Sequence, residues 1–282
     1  MINEDLLESL LQAALAEDLG DGDHSSLSCI PPEANGMARL LVKDKGIIAG
    51  IDIAKKIFRK IDPSLSLEVL MKDGDRIKPG NVAFILSGSI LSILKSERLV
   101  LNVMQRMSGI ASQTAEYVRV LEGLKTRILD TRKTAPGLRI LDKEAVRIGG
   151  GLNHRMGLYD MIMLKDNHID FAGGIEKAIT KTSEYLKSKG KDLKIVIEAR
   201  SLEDVGEIIQ VKGVQRILLD NFSVSQTRKA VDLIGDLFET ESSGKITQDN
   251  IREYAECGVD YISVGALTHQ VRSLDLSLKA IH

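Results

Sequence analysis

Lys194–Asn221 reads KIVIEARSLEDVGEIIQVKGVQRILLDN. Two continuous apolar runs, Lys194–Ile197 and Arg216–Leu219, flank a helical pattern over Ser201–Gln210. Strands that alternate inside and outside would alternate in polarity, whereas strands buried on both faces of a parallel sheet read as unbroken apolar runs. Parallel neighbours also need a crossover of about a dozen residues, usually a helix. This stretch therefore predicts strand, crossover helix, strand. The same unit recurs outward, with strand-like runs at Arg127–Leu129, Met161–Leu164, Leu237–Glu239 and Tyr261–Val264 and helical segments at Gly174–Leu186, Ser225–Ile234 and Thr247–Cys257. Six such units without a GxGxxG at the first turn favour a β/α barrel over a doubly wound sheet, although such barrels ordinarily have about eight strands.

Upstream the pattern is different. Residues 3–19 are amphipathic, with Leu6, Leu7, Leu10, Leu11, Ala14 and Leu15 at helical spacing, Asn3 as cap and Gly20 as stop. His24 falls in turn chemistry and reads as a polar loop residue. Between Ala38 and Ile90, short strands (ARLLVKD, GIIAG, LSLEVL, NVAFILSGS) surround one helix near Ile53–Ile61, which predicts an α+β sandwich. A helix over about 90–107 and a second to about Glu122 are expected, with Gly109 between them. The expected architecture is an N-terminal α+β sandwich, 1–108, followed by an incomplete six- or seven-stranded α/β barrel, 109–270. Residues 271–282 are free to pack back on the first domain.

Composition narrows the function. The chain has 282 residues, 43% hydrophobic and 28% charged, with a formal net charge of -2, which describes an ordinary folded domain pair rather than a basic nucleic-acid binder. Zero Trp and 4% aromatics leave little for base stacking. No apolar run approaches the roughly 20 residues that span a bilayer, and the first residues lack a secretory pattern. Cys29 and Cys257, far apart and outside any CxxC, point to reduced thiols and a cytoplasmic protein.

Within this mildly acidic chain, Arg127–His168 holds eight Lys and Arg against five Asp and Glu. Such a local cationic excess suits an anionic ligand. Arg139, Lys143 and Arg147, four apart, read as the surface of a helix. Arg132, Lys133, Arg155 and Lys165 instead sit beside strand-like runs and glycines. Chemistry in parallel α/β folds gathers at the carboxyl ends of strands. Those ends carry Asp130-Thr131-Arg132-Lys133, Lys165-Asp166-Asn167-His168, Glu198-Ala199-Arg200, Asp220-Asn221, Glu241-Ser242-Ser243-Gly244 and Gly265-Ala266. Arg and Lys suit carboxylates and phosphates, Glu198 and Asp220 suit a hard cation such as Mg²⁺, and Ser243-Gly244 and Gly265-Ala266 offer backbone N–H groups to a phosphate. The ligand set expected is a phosphorylated compound with a metal-bound diphosphate, plus a carboxylate-bearing partner. His154, His168 and His269 are acid–base candidates or equally structural histidines.

DTRKTAPGLR (130–139), GGGLNHRMGLYDMIMLKDNHI (149–169), IEAR (197–200), LLDN (218–221) and ISVGALTH (262–269) resemble quinolinate phosphoribosyltransferase, as do EDLGDGDHSS (17–26), KDGDRIKPG (72–80) and ERLVLNVMQRMSGIA (97–111). The resemblance implies transfer of phosphoribose to quinolinate with loss of CO2, giving nicotinate mononucleotide and diphosphate, with Mg²⁺ required. It also implies a homodimer, or a hexamer of dimers, in which Arg98 completes the neighbouring site. Carried over by position, Arg132, His154, Arg155 and Lys165 resemble the quinolinate-carboxylate residues. Lys133, Glu198 and Asp220 resemble those handling ribose, diphosphate and Mg²⁺, and Ser243, Gly244, Gly265, Ala266 and His269 those around the 5-phosphate. Thr131, Lys245 and Val264 adjoin these positions and are counted with the substrate-binding set. Lys245 departs from the family's usual glycine. Two alternatives are a non-decarboxylating pyridine phosphoribosyltransferase and a silent pyridine-carboxylate or phosphosugar binder. Retention of the charged positions argues against the silent binder.

Overall fold

The structure is a computed structural model describing residues 3–281. In chain order the elements are α1 (Glu4–Leu19), α2 (His24–Cys29), β1 (Asn35–Val42), β2 (Gly46–Ile47), α3 (Ile51–Ile61), β3 (Ser66–Val69), β4 (Arg76–Ile77), β5 (Val82–Ser89) and α4 (Ile90–Val120). They continue with β6 (Arg127–Leu129), α5 (Arg139–Ile148), β7 (Ile162–Leu164), α6 (Asp166–Ala172), α7 (Ile175–Lys189), β8 (Ile195–Ala199), α8 (Leu202–Val211), β9 (Arg216–Asp220) and α9 (Val224–Ile234). The last are β10 (Glu239–Ser243), α10 (Ile251–Ala255), β11 (Tyr261–Ser263), α11 (Ala266–His269) and β12 (Leu276–Ile281). Two compact units emerge. The first comprises residues up to Ala115, Thr134–Gly150 and those from Leu267 onward; the second comprises Glu116–Lys133 and Gly151–Ala266. The boundary expected at 108/109 lies inside α4, and α5, expected in the barrel domain, groups with the first unit.

The first unit is built on a four-stranded sheet of order β12-β1-β5-β3, antiparallel at every pairing. Along β1, Ala38, Leu40 and Val42 are buried while Met37 and Arg39 point outward, so the sheet buries one face. Residues 276–281 return to this unit as an edge strand, with Leu278 opposite Leu40. Asn3 caps α1 by accepting from Leu6 N at 3.1 Å. Asp23 does the same for α2, so His24 starts a helix rather than sitting in a loop.

Two expectations fail here. The helix expected to break at Gly109 runs unbroken from Ile90 to Val120. A Cβ on Gly109 would lie 2.2 Å from the Arg272 carbonyl oxygen, so this glycine serves close backbone approach. Lys143, read as helix surface, is 1% exposed, because α5 packs nearly all round: Ile140, Leu141, Asp142, Ala145 and Val146 are buried with it. Arg147 does keep to the surface, donating from Nε to Glu144 at 3.0 Å.

The second unit is a six-stranded parallel sheet of order β6-β11-β10-β9-β8-β7. β6 and β7 do not pair, so hydrogen bonds leave the barrel open between them. Leu152 forms a single parallel bridge to Leu129, a rudiment of a seventh strand beside β6. Leu152 N donates to Ile128 O at 2.8 Å and Asp130 N to Leu152 O at 3.1 Å. All five residues of β8 are buried, as IVI implied. Ser201 caps α8, accepting from Asp204 N at 3.1 Å. One strand sits later than its apolar signal: β10 is Glu239–Ser243 rather than Leu237–Glu239. Its run ETESS lacks an apolar signal because Glu239 and Glu241 are paired with Arg216 and Thr240 is bonded to Asp260.

Candidate active site

The carboxyl ends of these strands surround a cavity of about 210 Å³ within the second unit. Thr131, Arg132, Lys133, His154, Arg155, Lys165, Glu198, Asp220 and Ser243 all line it, so nine expected site residues converge. They arrive from six places: the end of β6, the segment after Leu152, and the ends of β7, β8, β9 and β10.

Asp130, 0% exposed at the end of β6, organises the first part of the wall. Its carboxylate accepts from His154 N at 2.8 Å and Asn153 Nδ2 at 2.6 Å, fastening the rudimentary seventh strand to the sheet. The next residues turn back on themselves, with Met156 N and Gly157 N donating to Asp160 at 2.7 and 2.9 Å. Arg155 is 7% exposed and donates from Nη1 to Met161 O at 3.3 Å. Burial, and then the positive field of Arg132, weaken its hold on its proton relative to an ordinary arginine, while Asp160 and Glu198 oppose them. A guanidinium stays charged under such perturbation, so two neighbouring cations face an anion-sized space.

Opposite, Lys165 is the N-cap residue that precedes α6. Its Nζ donates to Glu198 Oε1 at 2.8 Å, and Asp166 N lies 3.4 Å from Glu198 Oε2. Lys165 is about half exposed while Glu198 is nearly buried. His168 accepts from Lys165 N through Nδ1 at 3.0 Å, which makes it a cap of α6 that fixes the Lys165 backbone. Asp220, the last residue of β9, accepts from Asn221 Nδ2 at 2.8 Å.

Asn221, Gly244 and Lys245 all take positive φ (56°, 99° and 53°). A Cβ on Gly244 would meet Asn221 Oδ1 at 2.3 Å, so glycine is required there. Lys245 keeps the left-handed backbone that glycine adopts readily, at a cost of about 1–2 kcal/mol for an L-residue.

The other expected residues lie outside the cavity lining. Arg98, on α4, and His269, ending α11, are exposed and belong to the first unit. Val264 is buried, with its N–H bonded to Leu129 O at 3.0 Å. Gly244, Lys245, Gly265 and Ala266 do not line the wall. Four lining residues had no assigned role: Met163, Leu218, Ser263 and Glu241. Glu241 was legible as a carboxylate beside a strand end, but the register that places it inside β10 was not.

A parallel α/β barrel that gathers four Lys and Arg and three carboxylates around one cavity is the architecture of an enzyme acting on polyanionic substrates. The family model "Quinolinate phosphoribosyl transferase, C-terminal domain" matches residues 110–279, and the corresponding N-terminal domain model matches 23–108. The chain is 44% identical to "Quinolinate phosphoribosyltransferase [decarboxylating] 1b" of Nicotiana tabacum, over 97% of this chain and 82% of that protein. It is 40% identical to a "Probable nicotinate-nucleotide pyrophosphorylase [carboxylating]" of Synechocystis, over 98% and 93%. The solved structure of NadC from Streptococcus pyogenes superposes with a TM-score of 0.93 at 36% identity, covering 100% of this chain and 99% of that one. The chain belongs to the quinolinate phosphoribosyltransferase family.

Proposed function

We propose a division of labour within the cavity of this pentosyltransferase, which joins quinolinate to phosphoribosyl pyrophosphate and releases diphosphate and CO2 to give nicotinate mononucleotide in NAD biosynthesis. Arg132, Arg155 and Lys165 take the two quinolinate carboxylates, with His154 shaping that wall. Lys133, Glu198 and Asp220 take the ribose and diphosphate. Ser243, Gly244, Gly265 and Ala266, at neighbouring strand ends, take the 5-phosphate with His269, and Thr131, Lys245 and Val264 adjoin them. The observation that carries this reading is the convergence of Arg132, Lys133, Arg155 and Lys165 on one small cavity. Two polyanions approach each other there only if fixed cations replace the water they shed.

The residues also fit Mg²⁺. Glu198 and Asp220 supply hard oxygen donors to the same cavity, and among the described residues no cluster of three or more His, Cys, Asp or Glu forms a cage. Mg²⁺ characteristically takes one or two carboxylates and completes its shell with substrate phosphates and water. Bound there, it would neutralise charge on the diphosphate.

In the transfer, the pyridine nitrogen forms its bond to ribose C1 as the bond to the diphosphate oxygen breaks. Lys133 stabilises the charge growing on that oxygen. Decarboxylation then breaks the C2–carboxylate bond and leaves its electron pair on C2, beside the now cationic nitrogen. Lys165, held at Nζ by Glu198, is the proton donor we assign to C2. Arg98, exposed and outside its own cavity, is assigned to the neighbouring site of a dimer or hexamer of dimers. The free thiols of Cys29 and Cys257 suit a cytoplasmic location.

The test follows nicotinate mononucleotide and CO2 from quinolinate, phosphoribosyl pyrophosphate and Mg²⁺. Arg132→Ala is expected to raise the quinolinate KM; an unchanged KM and kcat overturns the carboxylate assignment. Mixing inactive Arg98→Ala with inactive Lys165→Ala is expected to restore activity in heterodimers. No recovery, once subunit exchange is demonstrated, overturns the shared site.

A further inference from the structure

Glu241 is a carboxylate with no surface exposure, inside a barrel whose mouth is built for anions. Left alone it would weaken anion binding, and an apolar residue would serve the barrel's stability equally well. Its surroundings give it another purpose. Arg216, 6% exposed at the start of β9, donates from Nη1 to Glu241 Oε2 at 2.9 Å. The same guanidinium donates from Nε and Nη2 to Glu239 Oε2 at 3.1 and 2.9 Å and stacks 4.0 Å above the Tyr261 ring. Strand register explains the assembly: Arg216 lies opposite Glu239, and Tyr261 opposite Glu241. Burial works against ionisation of Glu241, but His154 and Arg216 outweigh it and hold the carboxyl below the usual glutamate range.

On the cavity side, His154 Nε2 lies 3.3 Å from the same Oε2, with both side chains buried. His154 Nδ1 accepts from Arg155 N at 2.7 Å. An imidazole nitrogen that accepts an N–H has no proton, so the neutral ring carries its proton on Nε2, the nitrogen 3.3 Å from Glu241 Oε2. One line of contacts therefore runs from Arg216 through Glu241 and His154 to the backbone of Arg155.

We propose that Glu241 is a positioning residue for quinolinate, fixing the tautomer and orientation of His154 and, through it, the backbone that aims Arg155, with Arg216 as its counter-ion. The inference rests on the assignment of Arg132 and Arg155 to quinolinate. It differs from a structural role because only one substrate should feel it.

Glu241→Ala is expected to raise the quinolinate KM by about tenfold or more, as misaimed binding groups do, with the phosphoribosyl pyrophosphate KM unchanged. Glu241→Gln keeps an acceptor oxygen at the Oε2 position for both Arg216 and His154, and is expected to restore the quinolinate KM to near wild type. In substrate-free protein, ¹⁵N NMR of the His154 ring should report protonated Nε2 and bare Nδ1 in wild type and Glu241→Gln, and a mixture of tautomers in Glu241→Ala. Where Glu241→Ala does not fold, Glu241→Asp, which withdraws the carboxylate by one methylene, takes its place with the same expected direction. Equal rises in both KM values, a Glu241→Gln no better than Glu241→Ala, or an unaltered His154 tautomer would overturn the proposal. Failure of the underlying reading looks different: Arg132→Ala and Arg155→Ala would then leave the quinolinate KM unchanged while the NMR signature persists.

Discussion

Each unit buries an arginine–carboxylate interaction, and the two are finished differently. In the first unit, Arg106 grips Asp142 with a bidentate fork, Nε to Oδ1 at 2.7 Å and Nη2 to Oδ2 at 2.8 Å. Both carboxylate oxygens are satisfied, and a spare contact runs from Arg106 Nη2 to Thr268 O at 3.3 Å. In the second unit, Arg216 and His154 both converge on Oε2 of Glu241, and Oε1 accepts from no described residue. The first arrangement is closed and ties helices α4 and α5 together. The second is open on its cavity side and leads to His154 and Arg155, which line the cavity. The saturated pair needs nothing beyond structure to explain it, whereas the incompletely satisfied one beside a cavity is where the proposed positioning role lies.

The sharpest separation is expected at Lys165. Replacing this half-exposed side chain with Ala should lower kcat/KM by about 10²-fold or more, because the proposed role of Lys165 is that of a preorganised charge beside the reacting atoms. Its melting temperature should hardly move, which calorimetry can check; a large drop would erase the contrast between the units. Arg106→Ala should behave in the opposite way. It strands the carboxylate of Asp142, which is 0% exposed, at a cost of about 3 kcal/mol or more in urea unfolding. Activity per folded molecule should stay near wild type, and a selective loss of kcat would show that the first unit's ion pair is not merely structural.

Acid titration gives the smallest expected effect. The folded-state pKa of Glu241 is lowered from the ordinary value of 4.5. Its stabilising contribution is therefore complete above about pH 4.5 and is lost as pH falls through the lower folded value. Glu241→Gln should flatten that part of the curve, whereas a change confined to neutral pH would contradict the assignment. Asp260 also contributes in acid. Burial opposes its ionisation, but donors from Thr240 and Lys125 win and lower its pKa, so its contribution persists in the variant.

Much of the site was legible in one dimension because strand ends are easy to mark. Apolar runs such as IVI and ILL end abruptly at Glu198 and Asp220, and a parallel fold puts such ends on one rim. Lys143 shows where that logic stops. Its spacing with Arg139 and Arg147 is that of a solvated face, yet α5 is buried nearly all round, and helical periodicity carries no information about what a helix is packed against. Glu241 shows the converse, since ETESS lacks the apolar signal of a strand while occupying one.

The sequence by itself determined the two-part organisation, the parallel barrel and nearly every cation of the cavity. These follow from hydrophobic periodicity and residue chemistry, which are local properties. Only tertiary structure decided that the sheet stays open between β6 and β7, that Gly109 meets a backbone carbonyl instead of breaking a helix, and that Arg216, Glu241 and His154 stand in line behind Arg155. Those depend on register and on approaches between residues distant along the chain. A residue's partners across a sheet are fixed by which strands pair, and that pairing leaves no mark on its near neighbours in sequence.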